Sequence, residues 1–231
     1  FWSGGGITIH GSSPTIKNCI IKNNFGGSSS GAAGIEIAKA NQWSKSLAPV
    51  IENCIISNNT GDGIHISDSG NTCNNEKPCA TVIIKNPLII NNSGKGIDCN
   101  NYPQFAIINA TISNNGGVGV YVNDDVSGDQ VIKNSIIWNN TSGTTNRSNA
   151  NPLNVSLTNG SADPSVVYCN IEGGYPTGGT IDKDPFFINA SSGDFRLQDY
   201  SPSIGTGLSS GSSSFNYSSS IDNNSIDING K

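Results

Sequence analysis

The sequence predicts an all-β solenoid, a parallel β-helix of roughly seven to eight coils with loop insertions. Three observations carry this. First, the composition is that of strands and turns: isoleucine occurs 30 times and leucine 6 times, beside 33 asparagines and 28 glycines in 231 residues. Isoleucine is stiff at χ1 and favours strands, leucine favours helices, and asparagine and glycine form turns. Second, a short apolar motif recurs along the chain. Third, apolar and polar residues alternate between the turns, as half-buried strands require.

The motif reads PTIKNCIIKNN (14–24), PVIENCIISNN (49–59), VIIKNPLIINN (82–92), FAIINATISNN (105–115) and QVIKNSIIWNN (130–140), with a weaker copy SVVYCNIEGG (165–174). Its anchors Asn18, Asn53, Asn86, Asn109 and Asn134 are separated by 35, 33, 23 and 25 residues. A second strand recurs as GITIH, GIEIA, GIHIS, GIDCN and GVYVN, starting at Gly63, Gly96 and Gly119 in the copies with equal offset. A unit of about 23 residues cannot bury its own apolar face, whereas stacked units bury a continuous one. The longer separations then become loops extruded at 39–48, 68–81 and 141–164.

Alternation assigns the faces. Ile64 and Ile66 point inward, stacked with Ile7/Ile9, Ile35/Ile37, Ile97/Cys99 and Val120/Val122. After the anchor, Ile21, Ile56, Ile89, Ile112 and Ile137 point inward, and Cys19, Cys54, Pro87, Ala110 and Ser135 fill a compact slot. Coils about 4.8 Å apart bring like residues together, so the anchor asparagines form a side-chain amide ladder. Residues 1–198 make the β-helix. Residues 199–231, Ser-rich over 208–220, make an irregular C-terminal cap or tail that ends before a further module.

Several classes are excluded. Charged residues are 13% of the chain, the net charge is −5, and the few basic residues are scattered, so no nucleic-acid footprint exists. No apolar run approaches the roughly 20 residues that span a bilayer. The chain carries no signal peptide and no methionine, and reads as a piece whose targeting segments lie outside it. Cys19, Cys54 and Cys99 read as free thiols acting as small hydrophobes. Cys73 and Cys79 share one loop, where a disulfide would suit an oxidising, extracellular setting. Eleven N-x-S/T sequons occur, but so much Asn, Ser and Thr produces them by chance, and Asn109 among them is an anchor.

One outward column carries chemistry: Thr8, Glu36, His65, Asp98 and Tyr121, flanked by His10, Ala38, Ser67, Asn100 and Asn123. Glu36, His65 and Asp98 fall on adjacent coils, and a carboxylate beside a histidine suits general acid–base catalysis. The alternative is a solvated face whose opposite charges offset one another. Tyr121, Trp138, Trp43 and Tyr102 are candidates for stacking on sugars, or else cover loops and coil edges. Asp124, Asp125 and Asp129 offer a calcium site together with backbone carbonyls, against the reading of a solvated turn. No other cofactor is indicated.

The coils GGGITIHGSSPTIKNCIIKNN resemble the right-handed parallel β-helix repeat proteins of the pectate-lyase-like superfamily. The stretch DPFFINASSGDFRLQDYSPSIGTG (184–207) resembles the closing segment of secreted β-helix proteins of Bacteroidetes type that carry a C-terminal sorting domain. Asp184, Pro185, Phe187, Gly193, Asp194, Arg196, Leu197, Ser201, Pro202, Ile204 and Gly207 match, and Gly205 stands where that family usually has aspartate. The resemblance implies secretion and a right-handed solenoid, not an activity, because the fold hosts lyases, hydrolases, adhesins and modules without catalysis. The lyases of the superfamily use a basic residue with calcium or further basic groups, and the polygalacturonase-type hydrolases use paired aspartates with a G-H-G motif; neither set is recognisable here. The sequence therefore points to a secreted or cell-surface scaffold or adhesin module without catalysis, with glycan binding as its candidate role. Its runner-up is a polysaccharide lyase or hydrolase using Glu36, His65 and Asp98. Its expected partners are an extracellular polysaccharide or another surface protein, with a flanking domain or partner chain covering the first coil at residues 1–11.

Overall fold

A computed structural model describes residues 5–26, 32–39, 48–68, 81–100, 104–123, 130–141, 155–158, 164–176 and 178–208. Three parallel six-stranded sheets run its length, and each coil contributes one strand to each. Sheet A holds Ile7–His10, Ala32–Lys39, Asp62–Asp68, Ile97–Asn100, Val120–Asn123 and Val155–Thr158. Sheet B holds Thr15–Lys17, Val50–Glu52, Thr81–Lys85, Gln104–Ile108, Gln130–Lys133 and Ser165–Val167. Sheet C holds Ile20–Lys22, Ile55–Ser57, Leu88–Ile90, Thr111–Ser113, Ile136–Trp138 and Asn170–Ile171. Hydrogen-bonded neighbours lie one coil apart in sequence, never consecutive, which is the topology of a parallel β-helix. Where the repeat predicts seven to eight coils, six carry all three sheets among the described residues.

The expected stacks are in register. Ile7, Ile35, Ile64, Ile97 and Val120 form one column of sheet A, and Ile9, Ile37, Ile66, Cys99 and Val122 the next inward one. Ile21, Ile56, Ile89, Ile112 and Ile137 line the core from sheet C, facing Ile51, Ile84, Ile107 and Ile132 from sheet B. Fully burying one such side chain contributes about 1.5–3 kcal/mol, and it becomes buried only when coils above and below cover it. That is why the unit repeats.

The compact slot behaves as expected. Cys54, Ala110, Ser135 and Cys169 are buried in it, and Cys19, Cys54, Cys99 and Cys169 are free thiols. Ser135 Oγ donates to the Lys133 carbonyl at 2.8 Å, and Cys54 and Cys169 donate to the equivalent carbonyls of Glu52 and Val167 at 3.3 Å. Burial pushes the Cys169 thiol up to about 12 and Cys99 well above its usual value, so both stay protonated and unreactive.

Asparagine makes both corners. The anchors Asn18, Asn53, Asn86, Asn109 and Asn134 turn sheet B into sheet C with φ between 50° and 57°. Asparagine tolerates this left-handed conformation because its short side chain bonds locally. Their amides form the expected ladder: Asn53 donates to Asn18 at 3.2 Å, Asn86 to Asn53 at 2.9 Å and Asn109 to Asn86 at 3.1 Å. The second corner uses the paired asparagines. The first of each pair, Asn23, Asn58, Asn91, Asn114 and Asn139, is again left-handed. The second, Asn24, Asn59, Asn92, Asn115 and Asn140, builds another ladder, with Nδ2 to Oδ1 distances of 2.8–3.0 Å. It runs the opposite way, each earlier coil donating to the next.

One expectation is corrected. The insertion 141–164 is not all loop, because Val155–Thr158 extends sheet A in parallel register with Val120–Asn123. The V-S-L-T alternation is that of a strand, but no glycine opens it as one opens GITIH, GIEIA, GIHIS, GIDCN and GVYVN. Cys73, Cys79, Trp43, Tyr102, Asp124, Asp125 and Asp129 lie outside the described residues, as do the loops that carry them.

The closing segment docks on the last coils. Phe187–Asn189 pairs antiparallel with Asp194–Leu197 through a 3-10 turn at Ala190–Ser192. Asp184 Oδ1 accepts the Phe186 N–H at 2.8 Å where φ is 49°, and Ser201 Oγ donates to the Pro185 carbonyl at 2.6 Å. Asn170 Nδ2 donates to the Lys183 carbonyl and to Ser203 Oγ, both at 2.8 Å. Asn134 exchanges two hydrogen bonds with Leu208, at 2.9 and 3.2 Å. The D-P and S-P elements therefore fold the segment on itself, and Lys183, Ser203 and Leu208 hold it to the coils.

Candidate functional site

Sheet A places Thr8, Glu36, His65, Asp98 and Tyr121 side by side, one per coil, in one unbroken register. They face away from the core, yet Glu36 is 3% exposed and Asp98 4%. Two further residues join them. Asp62 begins the His65 strand, and Lys95 lies in the S-G-K-G turn before the Asp98 strand.

His65 Nδ1 sits 3.2 Å from Asp98 Oδ2 and 3.8 Å from Asp62 Oδ2. Neither carboxylate lies in line with the ring N–H, so these are ion-pair contacts rather than aligned hydrogen bonds. Lys95 Nζ reaches Asp98 Oδ2 at 2.9 Å and lies 4.8 Å from the centre of the Tyr121 ring. Its backbone N–H donates to Asp62 Oδ1 at 2.6 Å. Glu36 Oε2, His65 Nδ1 and Asp98 Oδ1 are buried with no hydrogen-bond partner among the described residues.

The charges tune one another. Burial pulls the His65 pKa down, but the Asp62 and Asp98 carboxylates outweigh it and raise it to about 9. Burial likewise works against the Asp98 carboxylate, and His65 and Lys95 more than offset it, leaving its pKa below the usual value. Lys95 is held above its usual value because Asp98 outweighs its own burial. At neutral pH His65 is therefore an imidazolium between two carboxylates, with a proton to give and no lone pair at Nδ1 to accept one.

A family model described as "Right handed beta helix region" matches residues 5–231. The chain belongs to the right-handed β-helix family. No curated protein and no solved structure matches it. Among the described residues of this β-helix, no helix is long and apolar enough to cross a membrane.

Of the residues singled out from the sequence, this β-helix gathers Glu36, His65, Asp98 and Tyr121 on one face. Trp138 is half-buried on sheet C, away from that column. Asp62 escaped the sequence reading because strict alternation points it inward. Here the register shifts between Ala32 and Ile35, which re-aims the start of the strand. The proximity of Lys95 was visible only as a turn residue near the face.

A pH dependence follows. The folded pKa of His65, about 9, lies above the ordinary 6.5, so its stabilisation is fully present below pH 6.5 and is lost as pH rises towards 9. The groups facing it are Asp62, Asp98 and Glu36, with Lys95 beyond Asp98. In chelator-treated buffer, unfolding free energy should fall by about 2–3 kcal/mol between pH 6 and pH 9.5. The variant His65→Gln should flatten that slope. An equally steep slope in the variant would assign it to other groups.

Proposed function

We propose that the chain is a module of a secreted or cell-surface protein, acting as a scaffold or adhesin without catalysis and offering sheet A to an extracellular glycan or surface protein. The observation that carries this reading is the closure of the polar cluster. A catalytic base must reach the proton it removes, but Glu36 and Asp98 are buried, and His65 and Lys95 are committed to Asp98. What remains accessible is the half-exposed rim of Lys95 and Tyr121, a cation over an aromatic face. That pairing suits a sugar carrying a carboxylate. Residues of the first coil support association as well: Ile20 and Phe25 are exposed, and among the described residues Ile7–His10 has a strand neighbour on one side only. A flanking segment or partner chain is the expected cover.

The competing reading, a polysaccharide lyase or hydrolase, uses the same Glu36, His65 and Asp98. Two measurements separate them. Incubation with alginate, pectin and chondroitin should give neither the ultraviolet absorbance of unsaturated uronates nor new reducing ends. A glycan array should show binding to acidic glycans that weakens in Tyr121→Ala. Turnover of any of these polysaccharides would overturn the non-catalytic reading, and a silent array would remove glycan binding and leave the scaffold.

A further inference from the structure

We propose that Asp62, His65 and Asp98, with Glu36 beside them, bind one divalent transition-metal cation that ties successive coils of sheet A together. The ligand atoms offered by Asp62, His65 and Asp98 all lie within 4.8 Å of one another. The His65 Nδ1 contact at 3.2 Å falls within the spacing of about 3–3.5 Å that ligands adopt around a cation bound at about 2.0–2.2 Å, and the contact at 3.8 Å lies just beyond it; the cation takes the place of the Nδ1 proton, which binding releases to solvent.

A second observation is independent of that clustering. Glu36 Oε2 and Asp98 Oδ1 belong to residues at least nine-tenths buried, and neither has a hydrogen-bond partner among the described residues. Buried carboxylate oxygens are costly unless they are paired or coordinate a metal. Asp98 Oδ1 belongs to the cluster itself, and Glu36 is the direct neighbour of His65 across the sheet.

The rest of the cluster leaves room for a cation. Asp62 gives Oδ1 to the Lys95 amide at 2.6 Å and keeps Oδ2 towards His65. Asp98 Oδ2, 3.2 Å from His65 Nδ1, also accepts from the Lys95 ammonium at 2.9 Å, and Oδ1 has no partner among the described residues. The amide contact orients Asp62 from behind, as outer-sphere partners of metal sites do, whereas the ammonium competes with a cation for Asp98. The donor set selects the ion. Calcium and magnesium take oxygen ligands throughout, whereas one imidazole nitrogen with two or three carboxylate oxygens suits zinc, manganese, iron(II) or cobalt(II). This site is distinct from the calcium reading of Asp124, Asp125 and Asp129.

The test uses the whole chain, stripped with chelator and titrated by calorimetry with Zn²⁺, Mn²⁺, Co²⁺, Ca²⁺ and Mg²⁺ separately. One transition ion should bind per chain, more tightly than calcium, and should raise the melting temperature. Asp62→Asn and Asp98→Asn should each weaken binding by more than the about 10–100-fold typical of outer-sphere changes. Because either variant could fold poorly, Lys95→Met provides a gain: removing a cation from beside Asp98 should tighten binding about tenfold. The Lys95 backbone donor to Asp62 survives that change. The proposal fails if no transition ion binds with one-to-one stoichiometry, if calcium binds more tightly, or if Lys95→Met leaves the affinity unchanged.

Discussion

Replacing Asn92 with alanine should cost about 3–5 kcal/mol of stability, and replacing it with aspartate should cost more. Asn92 is buried at the centre of the inner ladder, and its amide is fully used. Its Nδ2 donates to the Ile56 carbonyl at 3.1 Å and to Asn115 Oδ1 at 3.0 Å. Its Oδ1 accepts from the Asn59 amide at 2.8 Å and from the Asn59 backbone N–H at 3.1 Å. Alanine strands the two Asn59 donors inside the solenoid and leaves the Ile56 carbonyl with only its strand-to-strand bond from the next coil. Each stranded group costs about 1–3 kcal/mol. Asn115 Oδ1 is spared, because it still accepts the Asn92 backbone N–H at 3.0 Å. Aspartate is nearly the same shape but turns an acceptor towards two acceptors, and folds only by burying an unpaired charge or taking up a proton. Asn18→Ala is the control, since Asn18 is exposed and gives up one ladder contact. With φ at 57°, alanine there also pays part of the left-handed backbone cost, so the loss should be about 1–2 kcal/mol. Denaturant unfolding of the three variants decides the matter. An Asn92→Ala protein within about 1 kcal/mol of the parent would mean that backbone pairing alone holds the coils.

The solenoid was legible because its physics is one-dimensional. Once like residues stack on like, one register fixes every column, and Ile64 and Ile66 place Ile35, Ile37, Ile97 and Cys99 with no further information. The anchor ladder was legible for the same reason. The inner ladder was harder to see, although Asn24, Asn59, Asn92, Asn115 and Asn140 recur with the same spacing. A polar residue at a corner reads as exposed, and only the backbone path shows that the second asparagine of each pair turns inward. Within the candidate site, Glu36, His65, Asp98 and Tyr121 were legible from alternation. Asp62 was not, since it stands beside a bulge, and Lys95 was not, since its reach depends on the turn before its strand. The state of His65 was illegible because it depends on how two carboxylates share one nitrogen. Val155–Thr158 was missed because it follows Asn140 only after a long insertion and no glycine opens it.

Gly96→Ala should destabilise the fold by about 3 kcal/mol, through crowding rather than backbone strain. A Cβ at Gly96 would lie 2.5 Å from the Gly119 carbonyl oxygen and 2.5 Å from Ile112 Cγ2. The carbonyl cannot retreat freely, because it accepts the Ile97 N–H at 2.9 Å, and the Gly96 N–H is itself held by Val118 at 3.0 Å. The same contact recurs one coil earlier, where a Cβ at Gly63 would meet the Gly96 oxygen at 2.7 Å and Ile89 Cγ2 at 2.7 Å. This glycine column is where the corner presses on the strand of the next coil, and it explains the glycine that opens the second strand of the repeat. Gly205 provides the contrast. It is left-handed, with φ 76°, and has open space around its Cα. Gly205→Ala should therefore cost only the about 1–2 kcal/mol of a left-handed residue. Gly205→Asn should cost less, because asparagine tolerates that conformation. Gly96 also lies between Lys95 and the Asp98 strand, so crowding there displaces the Lys95 amide that holds Asp62. Gly96→Ala should lower stability and cation affinity together, whereas Gly6→Ala, whose Cβ in the first coil would meet Asn24 Nδ2 at 2.6 Å and Ile21 Cγ2 at 2.8 Å, far from the Lys95 turn, should lower stability with a smaller loss of affinity. Equal losses of affinity in the two variants would mean that the Lys95 turn does not orient Asp62.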